Sequence, residues 1–313
     1  MPSSAAYLGC CIISVLSILT SASLFILCYR SPRLRSQPFL LPVCWLSLSD
    51  LVWAVWALIS YVPAYLDKPP PSRGFSCALL AWVGNTGALS SFFWYAVITR
   101  HCIAVITWRE LYKPSASLSL TTTVCVWAAA IFFTSLPAFW GSDGLGPVDD
   151  GYECWIPKTS LRLTYYGPLA LVMLQAMYLL VVAGRFSYYV PSSATAMPFR
   201  RRMIGRIVLF VFVFVLCWGE AAVCRVIEYF NDYKNFDDEF PALENLHVLM
   251  KGSAGLVNGV IWLTSKAVKD ELMGAVDDEE DEESRWSSGG GKRHSMADSL
   301  LARFTDAGDG ESA

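Results

Sequence analysis

Residues 6–29 read AYLGCCIISVLSILTSASLFILCY, a run with no Asp, Glu, Lys, Arg or His. As an α-helix rising 1.5 Å per residue it would reach about 36 Å, enough for a hydrocarbon core roughly 30 Å thick. Inside lipid every backbone N–H and C=O has to be paired within the segment, which selects a helix for such a run. Working outward along the chain, comparable runs near 39–64, 76–106, 118–140, 164–188, 207–230 and 245–265 bring the number to seven. The expected fold is therefore an all-α membrane protein, a seven-transmembrane helix bundle over residues 1–265. The third run is interrupted by Asn85, Arg100 and His101, and the seventh by His247, Lys251 and Asn258. A cleaved signal peptide is the rival reading of 6–29. The run is about twice the length of an ordinary signal core and has no basic residue before it, so an uncleaved anchor is expected.

Composition agrees with lipid as the solvent. Apolar residues make up 54% and charged residues 16% of the 313, more apolar content than one soluble domain uses. The net charge of −3 hides two unlike segments: residues 266–313 hold six Lys/Arg against thirteen Asp/Glu, and the rest is net basic. Residues 266–275 mix cations with spaced apolar positions and read as a short amphipathic helix lying along the membrane. Residues 276–313 begin with Asp277-Asp278-Glu279-Glu280-Asp281-Glu282-Glu283, whose mutual repulsion and lack of apolar groups predict a disordered acidic cytoplasmic tail. No basic stretch interleaved with aromatics points to nucleic acid, and no internal repeat suggests a duplicated transporter half.

Orientation follows from the Lys and Arg of the short loops. One side collects Arg30, Arg33, Arg35, Arg100, Arg109, Lys113, Arg185, Arg200, Arg201, Arg202, Arg206, Lys266 and Lys269; the other has Lys68, Arg73, Lys158, Arg162 and Lys234 among many acids. The positive-inside bias puts the N-terminus outside and the tail in the cytoplasm of a multi-pass membrane protein. The plasma membrane is the expected site, although nothing in the sequence separates the cell surface from an internal membrane. Among ten cysteines, Cys77 at the outer start of the third helix and Cys154 in the long loop after the fourth are the well-exposed pair on the oxidising side. A disulfide between them would pin that loop over the bundle.

Ionisable groups at bilayer depth are costly unless they pair or face an interior, so each is a functional lead. Glu220 and Lys251 fall at matching depths in the sixth and seventh runs and could form an ion pair, either lining a ligand cavity or serving as a static clamp. Asp50 is the one acid of the second run, with Ser91 and Asn258 able to reach it. That set is either a plain hydrogen-bonded cluster or a polar pocket holding Na⁺. Arg225 and Glu228, spaced i, i+3, can satisfy each other. Pro137 and Pro168 fall within the fourth and fifth runs, where each would free a carbonyl and allow a kink.

Several short stretches occur in a telling order: Leu46-Ser47-Leu48-Ser49-Asp50, Trp127, Cys154-Trp155, Cys217-Trp218-Gly219-Glu220 and Gly255-Leu256-Val257-Asn258. Together they resemble G protein-coupled receptors, and most closely the slime-mould cyclic AMP receptor-like group with its animal relatives, transmembrane protein 116 and the ocular albinism type 1 receptor. Thr99-Arg100-His101, Asn258-Gly259 and Glu220 depart from the commonest receptor class and favour this smaller group. The resemblance implies ligand capture among the outer ends of helices 3, 5, 6 and 7, with Trp94, Trp218, Glu220 and Lys251 as ligand-binding residues and Trp218 near the base. It also implies outward movement of helix 6 to admit a heterotrimeric G protein, faced by Arg100, His101, Arg109, Arg200, Arg201 and Arg202. Those arginines also suit lipid headgroups, and basic residues anchor any helix at that boundary. Ser295, after Lys292-Arg293-His294, is the candidate phosphorylation site, and added charge there would recruit an arrestin-like protein.

Three other classes compete. An enzyme is not expected: His101, His247 and His294 lie too far apart to share a metal, no nucleophile motif or phosphate-binding glycine loop is present, and no metal or cofactor is called for. A retinal-binding photoreceptor would use Lys251 as the Schiff base and Glu220 as its counterion. A seven-helix transporter is the third. The ligand is not legible, since acidic outer loops suit a cation and Lys251 suits an anion.

Overall fold

A computed structural model describes residues 3–35, 40–66, 74–107, 120–148, 154–157, 159–189, 197–230, 241–265 and 268–271. Among the described residues, long helices run over Ser4–Arg30 (α1), Leu40–Tyr65 (α2), Phe75–Thr107 (α3), Leu120–Ser135 (α4), Leu163–Tyr189 (α5), Met197–Phe230 (α6) and Pro241–Leu263 (α7). Among the described residues, four helical stretches are long and apolar enough to cross a membrane: Ser4–Arg30, Leu40–Tyr65, Leu120–Gly141 and Ser160–Arg185. Val208–Cys224 and Gly252–Leu263 are shorter apolar stretches. The third helix is long enough but carries Asn85, Thr86, Ser90, Ser91 and Thr99, all buried, which dilute its apolar character.

The chain divides into Met1–Val268 and Lys269–Ala313. In the second unit the described residues are Lys269–Glu271, a fragment of helix; the remainder of the proposed juxtamembrane helix and tail lies outside the described residues.

Within the first unit the helices close a ring, with α1 against α2 and α7, α5 against α6, α6 against α7, and α3 packed inside against α2, α4, α5 and α6. The first helix explains what kind of solvent surrounds this ring. Its buried positions Cys10, Ser14, Ser17, Ser21, Leu24 and Cys28 recur every three or four residues and are mostly small, whereas Ile12 and Leu19 on the other side are more than half exposed. Large apolar side chains outside and small polar ones inside are what a helix shows when its solvent is lipid. Ser17 Oγ donates to the Gly252 carbonyl at 2.7 Å, and a Cβ on Gly259 would lie 2.5 Å from Thr20, so α1 and α7 meet backbone to backbone. The Ser3 hydroxyl caps α1 by accepting from the Ala6 N–H, and the Ser3 N–H donates to Asn245 Oδ1 on α7.

Two boundaries differ from expectation. The fourth helix ends at Ser135 and a 3₁₀ turn, Pro137–Asp143, follows it; Pro137 has no N–H to continue the ladder, so it terminates the α-helix instead of kinking it. The sixth starts at Met197, ten residues before the apolar run, because the backbone continues as helix past the point where side chains cease to be apolar. Pro168 does fall inside α5. Beyond the 3₁₀ turn, Gly146–Pro147 (β1) pairs antiparallel with Cys154–Trp155 (β2). Cys154 forms a disulfide with Cys77 at the first turn of α3, Cα to Cα 5.2 Å. This hairpin marks one end of the bundle, and Arg30–Arg35 the other.

Candidate functional site

Polar and aromatic side chains stack along the bundle interior from the middle to the hairpin end. At mid-depth, Asp50 of α2 is buried and accepts from Ser91 Oγ of α3 at 2.8 Å and from Asn258 Nδ2 of α7 at 2.7 Å. Asn258 Oδ1 in turn accepts from the Tyr95 hydroxyl at 2.6 Å. Each helix supplies its member for a local reason. Ser91 and Tyr95 are one turn apart on α3, so they share the face turned toward α2 and α7. The small Gly255 of α7 lets the Asp50 stem approach, since a Cβ there would sit 3.2 Å from Asp50 Cβ. Three donors thus satisfy a buried network that would be costly in hydrocarbon if any member were left open.

Above this layer lies an aromatic cluster. Trp218 of α6 meets Phe92 of α3 edge-on at 4.6 Å and Trp53 of α2 at 5.8 Å, and Trp53 stacks on Trp56 at 4.3 Å. The indole N–H of Trp218 and Trp56, Ser60 Oγ and Asn85 Nδ2 are buried and have no hydrogen-bond partner among the described residues. Buried donors without a partner are rare, and an incoming polar ligand would satisfy them. Tyr95 connects this region to α6 with its ring against Phe210 at 4.5 Å and Phe214 at 4.1 Å.

Nearer the hairpin end, Glu220 and Cys224 lie one turn apart on α6 and face His247 of α7. Cys224 Sγ donates to Glu220 Oε1 at 2.8 Å, and His247 Nδ1 is 3.1 Å from Glu220 Oε2. The hairpin is anchored from above: Trp155 Nε1 donates to Asn85 Oδ1 at 2.6 Å, and the Arg162 guanidinium lies 5.2 Å over the Trp155 ring.

Of the ligand-binding residues expected from the sequence, Trp218 and Glu220 therefore occupy consecutive levels of one column. Lys251 is on α7, with its side chain outside the described residues. Trp94 is fully buried but stacks on Trp45 of α2 at 6.4 Å, and its ring does not touch Trp218. Trp45 precedes Asp50 by five residues on α2, so Trp94 lies on the arginine-end side of the Asp50 layer. Asp50, Ser91 and Asn258 are brought together, and so are Cys77 and Cys154. Arg100 is exposed and His101 half-buried near the end of α3. The side chains of Arg200, Arg201, Arg202, Arg206, Arg225 and Glu228 lie outside the described residues, as do Arg109 and Ser295 altogether.

Sequence reasoning missed Tyr95, Asn85, Trp155, Cys224 and His247 as members of these networks. Two had a legible signal: Tyr95 is one turn from Ser91, and Cys224 one turn from Glu220. His247 had a weaker signal: it lies one turn from Lys251 on the same helix, and its contact with Glu220 depends on the register of α7 against α6.

In comparison with known proteins, the model of one protein family, described as slime mold cyclic AMP receptor, matches residues 8–275. None of the curated proteins compared matches the chain.

Proposed function

We propose a signalling role for this chain, which belongs to the slime mold cyclic AMP receptor family: it is a membrane receptor that passes binding of an extracellular or lumenal ligand to a heterotrimeric G protein. The observation that carries the reading is the extent of the family match, which runs through all seven long helices and ends at residue 275. The family does not favour the photoreceptor or transporter readings. In the proposed arrangement all seven helices cross the bilayer, with the N-terminus and hairpin outside and the arginine end in the cytoplasm, as the distribution of Lys and Arg suggests.

The ligand would enter beneath the hairpin and meet the unmet donors of Trp56, Ser60, Asn85 and Trp218. Trp94, stacked on Trp45 at the other side of the Asp50 layer, would lie outside that path. Coupling would run through Tyr95, which bonds Asn258 on α7 and packs against two rings of α6. A ligand that shifts Trp218 would move α6, with those two rings, against Tyr95 and open the cytoplasmic end, where Arg100, His101, Arg109 and Arg200–Arg202 would meet the G protein. The acidic tail, with Ser295 as its phosphorylation site, would recruit an arrestin-like protein, and the basic residues would also contact lipid headgroups. Asp50 would either hold Na⁺ with Ser91 and Asn258 or act through hydrogen bonds alone.

The test is a screen for agonist-dependent nucleotide exchange across G protein families, with cyclic AMP as the first ligand because of the family's name. Exchange that rises with ligand and falls in Trp218→Ala supports the reading. A receptor that binds ligand yet stimulates exchange in no G protein family overturns the coupling step.

A further inference from the structure

We infer that Glu220, Cys224 and His247 form a binding site for a divalent transition metal ion of the zinc class. The inference does not depend on the receptor reading. A carboxylate oxygen, Cys224 Sγ and a ring nitrogen of His247 all lie within 4.8 Å of one another. Ligands about 2.0–2.3 Å from a tetrahedral ion are themselves roughly 3.2–3.8 Å apart, so small side-chain rotations bring the three donors onto one centre. Hydrogen bonds of 2.8 and 3.1 Å already converge on the Glu220 carboxylate from the other two residues. When the ion binds, it replaces those two hydrogen bonds with coordination, and the thiol proton of Cys224 leaves to solvent.

The donor set decides the class of ion. One thiolate, one imidazole and one carboxylate suit Zn²⁺ and its neighbours and disfavour Mg²⁺ and Ca²⁺, which prefer six or more oxygens. The thiolate and carboxylate together cancel the charge of a divalent cation, so the loaded site is neutral, as a poorly hydrated interior requires. Three protein ligands leave a fourth position for water or for a donor atom of a ligand. The geometry is also supported from outside the triad. Glu220 and Cys224 are fixed by one helical turn of α6, and one level closer to the arginine end Cys217 Sγ and Ser253 Oγ, 3.5 Å apart, hold α6 and α7 in the same register. Metal bound here would clip α6 to α7.

The test is titration of the purified full-length chain with Co²⁺, followed by displacement with Zn²⁺. One saturable ion per chain is expected, with tetrahedral ligand-field bands and a sulfur-to-cobalt charge-transfer band that Zn²⁺ abolishes. Cys224→Ser should remove the charge-transfer band, and Glu220→Gln and His247→Ala should each weaken Zn²⁺ binding by roughly tenfold or more. A six-coordinate oxygen spectrum in the wild type would overturn the site without recourse to any variant. So would Zn²⁺ affinity that all three substitutions leave unchanged, which would place the ion on the acidic run 277–283 or on the exposed Cys125.

Discussion

At the scale of single residues, the Asp50 network is demanding because all four of its members are buried in a largely apolar interior. Replacing Tyr95 by Phe keeps the ring against Phe210 and Phe214 but removes the hydroxyl that donates to Asn258 Oδ1. The expected loss is about 1–3 kcal/mol of stability, read as a lower midpoint in thermal unfolding of the purified protein. A carboxamide at position 50 asks a different question. If Asp50 holds Na⁺, added NaCl raises the melting temperature of the wild type more than an equal concentration of choline chloride, and Asp50→Asn removes the difference. Equal curves in both salts would leave Asp50 as a hydrogen-bond acceptor and nothing more.

Between helices, contact depends on small residues as much as on large ones. Lipid is as apolar as leucine, so α1 and α7 gain little from burying oil against each other and depend on close approach and on the Ser17 hydrogen bond. Gly259→Val should therefore force α1 away from α7 at Thr20 and cost about 1–3 kcal/mol, whereas Gly184→Ala, where an added Cβ meets nothing within 4 Å, should be neutral or stabilising. Melting curves of the two variants side by side check both. The hairpin presents the covalent counterpart. Cys77→Ser frees one end of a link across 77 residues, and the expected cost is about 2–5 kcal/mol, with faster protease cleavage between residues 144 and 157.

For the molecule as a whole, the decisive measurement is where its ends lie. Seven crossings require epitope tags at the two termini to be accessible from opposite faces of the membrane in intact and permeabilised cells. Accessibility from one face would remove a helix from the count and with it the proposed signalling geometry. The column from Asn85 to Asn258 joins α2, α3, α6 and α7 into one interior. A change at the hairpin end therefore has a physical route to α6, through rings in contact rather than through distance alone.

The amino-acid sequence alone determined the helical class, the apolar stretches and the paired Cys77 and Cys154, because each depends on composition and spacing within a short segment. It also marked Asp50, Glu220 and Asn258, since a polar group within an apolar run is conspicuous without any knowledge of its neighbours. Which neighbour each one meets was decided only in the tertiary structure. A helix can turn about its axis or slide by one turn with almost no change in its own energy. Only packing against other helices settled that His247 reaches Glu220, that Tyr95 completes the Asp50 network, and that Trp94 turns to Trp45. The end of α4 at Pro137 is intermediate: the missing N–H is written in the sequence, but that the chain passes there into a 3₁₀ turn instead of a kinked helix is seen only in the structure.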